Sequence, residues 1–214
     1  MEYIHGKQTS DLNEAAFATQ LYGFHEVLID IGTGDGRFVQ HMAQSCSSQF
    51  VIGIDACREN LCRISRKEVW NALYVIANAE ALPSELSGRA TSITVNFPWG
   101  SLLTGLLTSE SRVLDGLQRI AQPGAWLEIR LNRSALLQVG WSLEQGGCMM
   151  QQALQTSGFD VKAVLQLDVK ALRGYPTTWA KRLAHGHALS SEDDTGVLCL
   201  QAICAGTSLV EAEV

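Results

Sequence analysis

A short apolar run followed at once by three closely spaced glycines is the feature that most restricts how this chain can fold. Residues 27–31 read VLIDI and residues 32–36 read GTGDG. Branched apolar residues favour a buried strand, and glycines allow a tight turn in which the backbone approaches a ligand without a Cβ in the way. The pattern predicts a strand, a glycine-rich turn and a helix that begins near Gly36, which is the first unit of an α/β sheet.

Strand-like and helix-like segments alternate along the rest of the chain. Strands are predicted at 27–31, 50–55, 73–77, 92–97, 126–131, 161–167 and 197–204. Helices are predicted at 36–45, 58–70, 109–121 and 145–156, with a short one near 83–85. This alternation indicates an α/β fold, with a mostly parallel sheet covered by helices on both faces. Residues 175–188 are too irregular for a plain crossover helix.

The two ends of the chain depart from this alternation. Residues 197–204 have no helix after them, so we expect this last strand to insert antiparallel at the edge of the sheet. Residues 3–9 indicate a short hairpin that turns at Gly6, within an N-terminal extension of residues 1–12. The predicted architecture is therefore Rossmann-like, with a seven-stranded, mostly parallel sheet, an antiparallel last strand and a short N-terminal hairpin.

Length and composition fit a single globular domain. The 214 residues suit one α/β domain over 1–214, with a disordered tail expected at 206–214. No apolar stretch approaches about 18 residues, and the opening MEYIHGK lacks the pattern of a signal peptide, so we expect a cytoplasmic protein. The six cysteines form no CxxC pair and no histidine has a ligand-like spacing. Neither a metal site nor a disulfide is therefore expected.

The net charge of −6 at first argues against a nucleic-acid partner. The charge is unevenly distributed, however. Residues 190–214 hold five acidic residues and no Lys or Arg, which leaves −1 for residues 1–189, where all 16 basic residues lie. A local basic face for RNA is therefore compatible with the sequence, although the field of the whole protein would not steer RNA strongly.

The glycine-rich turn favours a cationic ligand over a dinucleotide. A dinucleotide site requires G-x-G-x-x-G, and in this chain Arg37 occupies the position of the third glycine. Asp30, two residues before Gly32, would repel a pyrophosphate but can pair with the ammonium group of an amino-acid ligand. The D-x-G-x-G-x-G pattern therefore favours S-adenosylmethionine (SAM), with Asp30, Gly32, Thr33 and Gly34 as candidate binding residues.

Two further strand ends fit the adenosine part of such a ligand. Asp55 ends the second predicted strand, where an acid typically binds a ribose diol. Ala79 and Glu80 follow the third strand, where an adenine ring can meet backbone N–H groups and a carboxylate. A NAD site would share Asp55, so this residue supports an adenosine ligand without distinguishing the two. Asp30 or Asp55 alone would also fit an ordinary strand-end or helix-capping acid.

The fourth predicted strand ends in a loop that fits a planar acceptor. Residues 96–100 read NFPWG, one residue away from the Asn-Pro-Pro-aromatic signature of methyltransferases that act on planar nitrogens. Trp99 can stack on a base. A second tryptophan, Trp179, lies beside Lys181 and Arg182, and two tryptophans on different loops can hold a base that has left its stack while cations bind phosphate. Either tryptophan alone would also fit a core aromatic.

Four motifs, in this order and at similar spacing, resemble the aminoglycoside-resistance 16S rRNA (adenine-1408, N1) methyltransferases. They are GTGDGR at 32–37, AEALP at 79–83, FPWG at 97–100 and WAKRLAHG at 179–186. The resemblance implies a class I SAM-dependent methyltransferase fold, SAM as cofactor, and methylation of N1 of adenine 1408 in the 30S subunit, which confers aminoglycoside resistance. The implied partner is the 16S rRNA decoding site, with no DNA or membrane partner, and we expect a monomer.

The resemblance also implies roles for individual residues. The SAM pocket would contain Asp30, Gly32, Asp55, Ala79 and Glu80, completed by Asn96, Ser101, Thr177 and Thr178. The adenine would be stacked between the two catalytic residues Trp99 and Trp179. The residues that bind RNA would be Arg66, Lys67, Arg133, Lys181 and Arg182.

Catalysis in such an enzyme would consist mainly of positioning, because N1 of adenine already has an in-plane lone pair and needs no general base. The few cations in 58–70 and the acidic run at 192–194 leave two alternatives open. One is a SAM-dependent methyltransferase that acts on another RNA, a nucleobase or a small amine. The other is a SAM-binding homologue with weak rRNA activity. An NAD enzyme is disfavoured by Asp30 and Arg37.

Overall fold

A computed structural model of the chain describes residues 1–67, 69–109, 111–186 and 196–205. The strands are β1 (Glu2–His5), β2 (Gln8–Asp11), β3 (Glu26–Ile31), β4 (Gln49–Asp55), β5 (Ala72–Ile76), β6 (Ala90–Asn96), β7 (Ala121–Asn132), β8 (Phe159–Gln166) and β9 (Val197–Cys204). The helices are α1 (Glu14–Leu21), α2 (Arg37–Ser45), α3 (Arg58–Leu61), α4 (Gly100–Leu107), α5 (Arg112–Ile120), α6 (Arg133–Gln138), α7 (Leu143–Thr156), α8 (Val169–Gly174) and α9 (Thr178–Gly186). Short 3-10 turns lie at Ile64–Arg66, Ala79–Ala81 and Ser84–Leu86. The tail expected at 206–214 lies outside the described residues.

The described strands form one mixed sheet in the order β2-β1-β5-β4-β3-β6-β7-β9-β8. The five central strands, from β5 to β7, run parallel to one another. Their side chains are mostly buried, as expected for strands covered on both faces. β9 runs antiparallel to both of its neighbours. The predicted α/β class, with a mostly parallel sheet and an antiparallel last strand, is therefore confirmed.

Two details of the sheet differ from the prediction. β9 lies between β7 and β8, so the edge is formed by β8 rather than by the last strand. Burial explains this order, because most residues of β9 are buried while Val164 and Leu165 of β8 are exposed. In addition, the N-terminal hairpin pairs with β5 through Tyr3 and Val75, so it extends the seven-stranded sheet to nine described strands.

Several short helices were not predicted because each depends on one capping side chain rather than on a long apolar pattern. The side chains of Asn13, Asn132 and Asp168 accept the N–H of the third following residue and begin α1, α6 and α8. Conversely, the described residues of the helix predicted at 58–70 form only α3 and the turn Ile64–Arg66. None of the described helices is long and apolar enough to cross a membrane.

The topology opens a crevice beside the carboxyl end of β3. This strand pairs in parallel with β4 on one side and with β6 on the other, so the connections that follow these strands diverge. In open α/β sheets, ligands bind at such a switch point, outside the carboxyl ends of the strands. The glycine-rich turn after β3, the end of β4 and the loop after β6 all border this crevice.

Candidate cofactor and base-binding site

A cavity of about 510 Å³ occupies the crevice, a volume typical of small-molecule sites. Trp99 and Trp179 both line it. So does every residue predicted to bind SAM, namely Asp30, Gly32, Thr33, Gly34, Asp55, Ala79, Glu80, Asn96, Ser101, Thr177 and Thr178. The fold thus brings together side chains that are far apart in the sequence, while their individual roles stay predictions.

Asp30 is buried in β3 with one carboxylate oxygen left free. Its Oδ1 accepts hydrogen bonds from Thr94 Oγ1 at 2.7 Å and Asn96 Nδ2 at 2.9 Å. Its Oδ2 has no partner, although the residue is only 1% exposed. Burial raises the pKa of Asp30 to about 6, against the lowering effect of the Thr33, Thr94 and Asn96 side chains and of the Arg130 charge. An unpartnered buried carboxylate oxygen requires a cationic or hydrogen-bonding ligand.

Asp55 holds the glycine-rich turn in place. Its Oδ2 accepts a hydrogen bond from Gly34 N at 2.8 Å. Its Oδ1 accepts from Cys57 N at 2.8 Å and from Asn60 Nδ2 at 3.1 Å. Because an ionised carboxylate can accept about four hydrogen bonds, Asp55 retains capacity for a hydroxyl donor from a ligand.

At two positions of the turn, both the backbone conformation and the space available require glycine. Gly32 and Gly36 have φ values of +69° and +67°, in the left-handed region that favours glycine. A Cβ at Gly32 would lie 2.6 Å from Leu102 Cδ2, and one at Gly36 would lie 2.6 Å from Ile64 Cγ2. The packing of Leu102 and Ile64 against the turn therefore excludes larger residues at Gly32 and Gly36.

The cavity wall after β5 is formed by the 3-10 turn Ala79–Ala81. Asn78 caps this turn, since its Oδ1 accepts a hydrogen bond from Glu80 N at 2.9 Å. The N–H of Glu80 is therefore already paired, and its exposed carboxylate is the group left for a ligand. Asn78 also lines the cavity and was not singled out from the sequence.

The loop after β6 has a strained backbone next to Trp99. Phe97 has a φ of +55°, a conformation that costs a non-glycine residue about 1–3 kcal/mol. Its N–H donates to the carbonyl of Arg130 at 2.9 Å, and its ring is buried in an apolar cluster with residues of α8 and α9. The packing of Phe97 therefore enforces the loop conformation that presents Trp99 to the cavity.

Trp99 and Trp179 contact each other directly. Their ring centroids are 5.3 Å apart and their planes are tilted by 31°. Trp179 is 40% exposed, and the guanidinium carbon of Arg182 lies 5.5 Å from its ring centroid. The Nε1 of Trp99 is buried and has no hydrogen-bond partner. The two rings form an aromatic platform at the cavity wall that an incoming ring can reach from solvent.

The segment that carries Trp179 is helical, although 175–188 was expected to be irregular. Thr177 Oγ1 accepts the N–H of Ala180 at 3.0 Å and so begins α9. Ala180 and Ala184, one helical turn apart, are buried against the apolar cluster beside α8. The last two residues of the expected segment lie outside the described part of the chain.

A family model for NpmA, 16S rRNA (adenine(1408)-N(1))-methyltransferase, matches residues 2–195. A 16S rRNA (adenine(1408)-N(1))-methyltransferase of Escherichia coli is 33% identical over 208 residues, which cover 89% of this chain and 95% of that protein. The chain belongs to this methyltransferase family. The family predicted from the four sequence motifs is thus confirmed.

Solved structures of related methyltransferases share the fold. The crystal structure of 16S rRNA methyltransferase KamB has a TM-score of 0.85 and 28% identity, and the match covers 96% of this chain and all of KamB. The aminoglycoside resistance methyltransferase NpmB1 has a TM-score of 0.77 and 33% identity, over 95% of this chain and 100% of NpmB1. A tryptophan-to-alanine variant of the enzyme from Catenulisporales acidiphilia, solved with cosubstrate SAM, has a TM-score of 0.80 and 25% identity, over 97% and 98% of the two chains.

The groups that line the cavity of this 16S rRNA methyltransferase homologue fit SAM. The unpartnered Asp30 Oδ2 suits the ammonium group, and the remaining acceptor capacity of Asp55 suits the ribose hydroxyls. Ala77, Ala79 and Val113 provide an apolar wall for the adenine ring. The fit to SAM therefore rests on the unpaired Asp30 Oδ2 and on the polar and apolar groups that line the cavity, independently of the sequence motifs.

The five residues predicted to bind RNA lie in different places. Lys67 and Lys181 line a second depression, and Arg182 lines the cavity itself. Arg66 instead lies against the N-terminal hairpin, and Arg133 lies against the residue before β9. The structure therefore brings three of the five predicted cations to the cavity region.

This second depression is a groove of about 550 Å³ that adjoins the cavity, with which it shares Asp35, Asn60 and Thr177. We call it the cationic groove. Its cations are Arg37, Arg63, Lys67 and Lys181, and its acids are Asp35 and Glu59. Arg37 and Arg63 were not predicted to bind RNA, although the four-residue spacing of Arg63 and Lys67 could have placed both on one side of a helical segment.

Tyr175, which was not predicted from the sequence, connects to the site through Asn96. The Tyr175 hydroxyl donates to Asn96 Oδ1 at 2.8 Å. Arg130, which is 8% exposed, donates to the same oxygen at 3.1 Å and to Glu128 Oε2 at 2.6 Å. The signal that could have revealed Arg130 is its place two residues after Glu128 in a largely apolar strand, because a charge is buried there only when it is paired.

Proposed function

We propose that this protein transfers the methyl group of SAM to N1 of adenine 1408 of 16S rRNA in the 30S subunit, and that this modification confers aminoglycoside resistance. The observation that carries the proposal is the tryptophan pair in the same cavity as Asp30. Asp30 offers an acceptor to a cationic cofactor, and Trp99 and Trp179 offer aromatic faces to a base. The relatives named 16S rRNA (adenine(1408)-N(1))-methyltransferase supply the target atom.

SAM supplies a reactive methyl group on a positively charged sulfur. Asp30 would hold its ammonium group through Oδ2, because Oδ1 already accepts hydrogen bonds from Thr94 and Asn96. Asp55 accepts the ribose hydroxyls and at the same time holds the glycine-rich turn against the ligand. The protein would thus hold the cofactor on both sides of its sulfur and leave the methyl group for the acceptor.

Positioning of the base is the other task of the chain. N1 of adenine carries an in-plane lone pair, so the site needs no general base, and the rings of Trp99 and Trp179 hold the adenine in line with the methyl group. Transfer would form the N1–CH3 bond as the S–CH3 bond breaks with its electron pair left on sulfur, so S-adenosylhomocysteine leaves and the positive charge passes to the adenine ring. The electron-rich faces of the two tryptophans stabilise that charge.

The tryptophan pair has to open before a base enters. Two rings on either side of a base are about 7 Å apart, because stacked bases are spaced about 3.4 Å. The centroids of Trp99 and Trp179 are 5.3 Å apart. Trp99 packs against the main core, whereas Trp179 is 40% exposed, so the opening takes place on the Trp179 side.

RNA contacts are supplied by the cationic groove and by Arg182. The groove adjoins the cavity, so phosphates next to the extruded adenine reach Lys67 and Lys181 while the base lies between the tryptophans. With a net charge of −6, the attraction is local and strongly weakened by salt. We expect a monomer that acts in the cytoplasm, where its 30S substrate is found.

Primer extension on 30S subunits incubated with the protein and SAM tests this function. A methyl group on N1 blocks base pairing, so reverse transcription should stop at adenine 1408. Subunits incubated with S-adenosylhomocysteine in place of SAM provide the control. No stop at low salt with excess enzyme contradicts the proposal. Cells that express the protein should also become resistant to kanamycin and apramycin.

A second candidate function is methylation of another RNA, a nucleobase or a small amine. Two observations favour it, because both weaken attraction to a large RNA. They are the net charge of −6 and the acids Asp35 and Glu59 within the cationic groove. Transfer of a labelled methyl group to 30S subunits, protein-free 16S rRNA and small amines separates the two functions. Labelling of free RNA or of an amine, with none of 30S subunits, would favour the second.

A further inference from the structure

Tyr175 lies between α8 and α9, four residues before Trp179, and its ring is held by three neighbours. It stacks on Phe38 of α2 with centroids 5.5 Å apart and planes 21° apart. The guanidinium carbon of Arg130 lies 4.1 Å from its centroid, and the ring of Phe97 meets it edge-on at 6.4 Å. The ring is therefore fixed by α2, by β7 and by the loop after β6 together.

The hydroxyl of Tyr175 begins a chain of hydrogen bonds that ends at the cofactor site. It donates to Asn96 Oδ1 at 2.8 Å, and Arg130 Nη1 donates to the same oxygen at 3.1 Å. These two donors fill both lone pairs of the amide oxygen. Asn96 Nδ2 then donates to Asp30 Oδ1 at 2.9 Å. Because donors meet one end of the amide and a carboxylate meets the other, the orientation of Asn96 is fixed.

The far end of this chain is open to the cofactor, since Asp30 Oδ2 has no partner. A cation bound there favours the ionised carboxylate, which accepts more strongly from Asn96. A polarised amide in turn accepts more strongly from Tyr175, because hydrogen bonds in a chain strengthen one another. Burial raises the pKa of the Tyr175 hydroxyl, so it remains a donor at physiological pH.

We propose that Tyr175 is a positioning residue that couples cofactor binding at Asp30 to the placement of Trp179 for the base. The proposal rests on the proposed function, because it takes Trp179 as a base-binding residue. Thr178 Oγ1 also joins α9 to the glycine-rich turn, through Asp35 Oδ2 at 2.8 Å, but this bond is exposed and water competes with it. Cofactor and 30S subunit therefore bind cooperatively, each raising the affinity for the other by the same factor.

Tyr175→Phe tests the coupling, because it keeps the ring contacts and removes only the hydroxyl. Tyr74→Phe is the matched control, since the Tyr74 hydroxyl is buried without a hydrogen-bond partner and lies outside the cavity lining. Three quantities are measured for each protein. They are the Kd of SAM for the protein alone, the Kd of 30S subunits with and without S-adenosylhomocysteine, and the single-turnover methylation rate.

In the unaltered protein and in Tyr74→Phe, S-adenosylhomocysteine should tighten 30S binding about fivefold or more. In Tyr175→Phe this factor should fall towards one. The methylation rate should fall about two- to tenfold, as the loss of one hydrogen bond implies. The Kd of SAM for the protein alone should stay nearly the same, because Arg130 still holds Asn96. A merely structural role would weaken SAM binding as well. Unchanged coupling in Tyr175→Phe overturns the proposal.

A failure of the proposed function gives a different pattern. If the unaltered protein neither binds nor methylates 30S subunits, coupling is measured by tryptophan fluorescence during titration with SAM. A SAM-dependent change that is absent from Trp179→Phe reports on the tryptophan pair. The coupling is supported if the SAM-dependent fluorescence change is lost in Tyr175→Phe and kept in Tyr74→Phe. No SAM-dependent change in the unaltered protein, or its persistence in Tyr175→Phe, overturns it.

Discussion

The indole rings of Trp99 and Trp179 lie against each other with centroids 5.3 Å apart, which leaves no space for a third ring between them. Trp99 packs against the core, and Trp179 extends from α9 with much of its surface exposed. Each ring covers the face that the other would offer to a base. An adenine that entered between them would replace one aromatic contact by two.

Replacing either tryptophan by alanine should lower methylation far more than cofactor binding. Stacking on an aromatic ring contributes about 1–3 kcal/mol per base, so Trp99→Ala and Trp179→Ala should each lower kcat/KM on 30S subunits roughly 5- to 150-fold. The Kd of SAM should stay close to that of the unaltered protein, because neither ring pairs with Asp30 or Asp55. Single-turnover methylation and calorimetry measure the two effects.

Trp70→Ala is the control for these variants. Trp70 is 72% exposed and packs on Phe24, with centroids 5.3 Å apart, just before β5 and outside the cavity lining. Its loss should leave methylation unchanged. If Trp99→Ala weakened SAM binding as much as it lowered activity, the two rings would not be acting as a base clamp.

The strands that carry the site were predictable because each has its own local pattern. β3 and β4 are apolar runs that end in a glycine turn and in Asp55, and both signals lie within a few residues of the strand. The position of β9 between β7 and β8 was not predictable in the same way. The order of β8 and β9 beside β7 depends on how their side chains are buried in the assembled sheet, and no short stretch of sequence records this.

The site shows the same division between local and long-range information. Asp30 and Asp55 were predicted because their spacing from the glycines is a short sequence pattern. Tyr175 was missed because its hydrogen-bond partner Asn96 is 79 residues away, and nothing near Tyr175 in the sequence marks the contact. The cationic groove was found only in part for the same reason, since Arg37 of α2 meets Lys181 of α9 only in the folded chain.

Cofactor affinity should depend on pH through Asp30. Burial raises the pKa of Asp30 to about 6, and pairing with an ammonium group requires the carboxylate. The affinity for SAM should therefore fall as the pH drops through about 6, approaching tenfold per pH unit, and should fall again above about 8 as the α-amino group of the ligand loses its proton. Calorimetric titrations from pH 5 to pH 9 measure this profile. An affinity that stayed flat from pH 7 to pH 5 would contradict the role of Asp30.

The same residue should make the cofactor-free protein less stable at neutral pH. The pKa of Asp30 is higher in the folded state than in the unfolded chain, so its contribution to stability is present below about pH 4 and is lost as the pH rises through about 6. Asp30→Asn keeps the Oδ1 acceptor without the charge, and should stabilise the protein by about 2–3 kcal/mol at pH 8. Scanning calorimetry without SAM should show a Tm several degrees higher at pH 8 and little gain at pH 4. An equal gain in Tm at pH 4 and pH 8 would mean that the buried charge of Asp30 does not cause the stabilisation.

Lys67 and Lys181 are the cations of the groove best placed to bind phosphate. Arg37 is already paired with Asp35 at 3.2 Å, whereas Lys67 donates to the neutral Gln40 and keeps its charge available. The double variant Lys67→Gln/Lys181→Gln should weaken 30S binding and reduce the slope of log K against log salt by about 0.7–0.9 for each lost phosphate contact.

Filter binding at several salt concentrations measures that slope, with Lys162→Gln as the control. Lys162 lies on the edge strand β8, is paired with Asp160, and is outside both the cavity and the groove. SAM affinity should be the same in all variants, because neither groove lysine lines the cofactor cavity. A double variant with the salt slope of the unaltered protein would show that the phosphates are bound elsewhere on the surface.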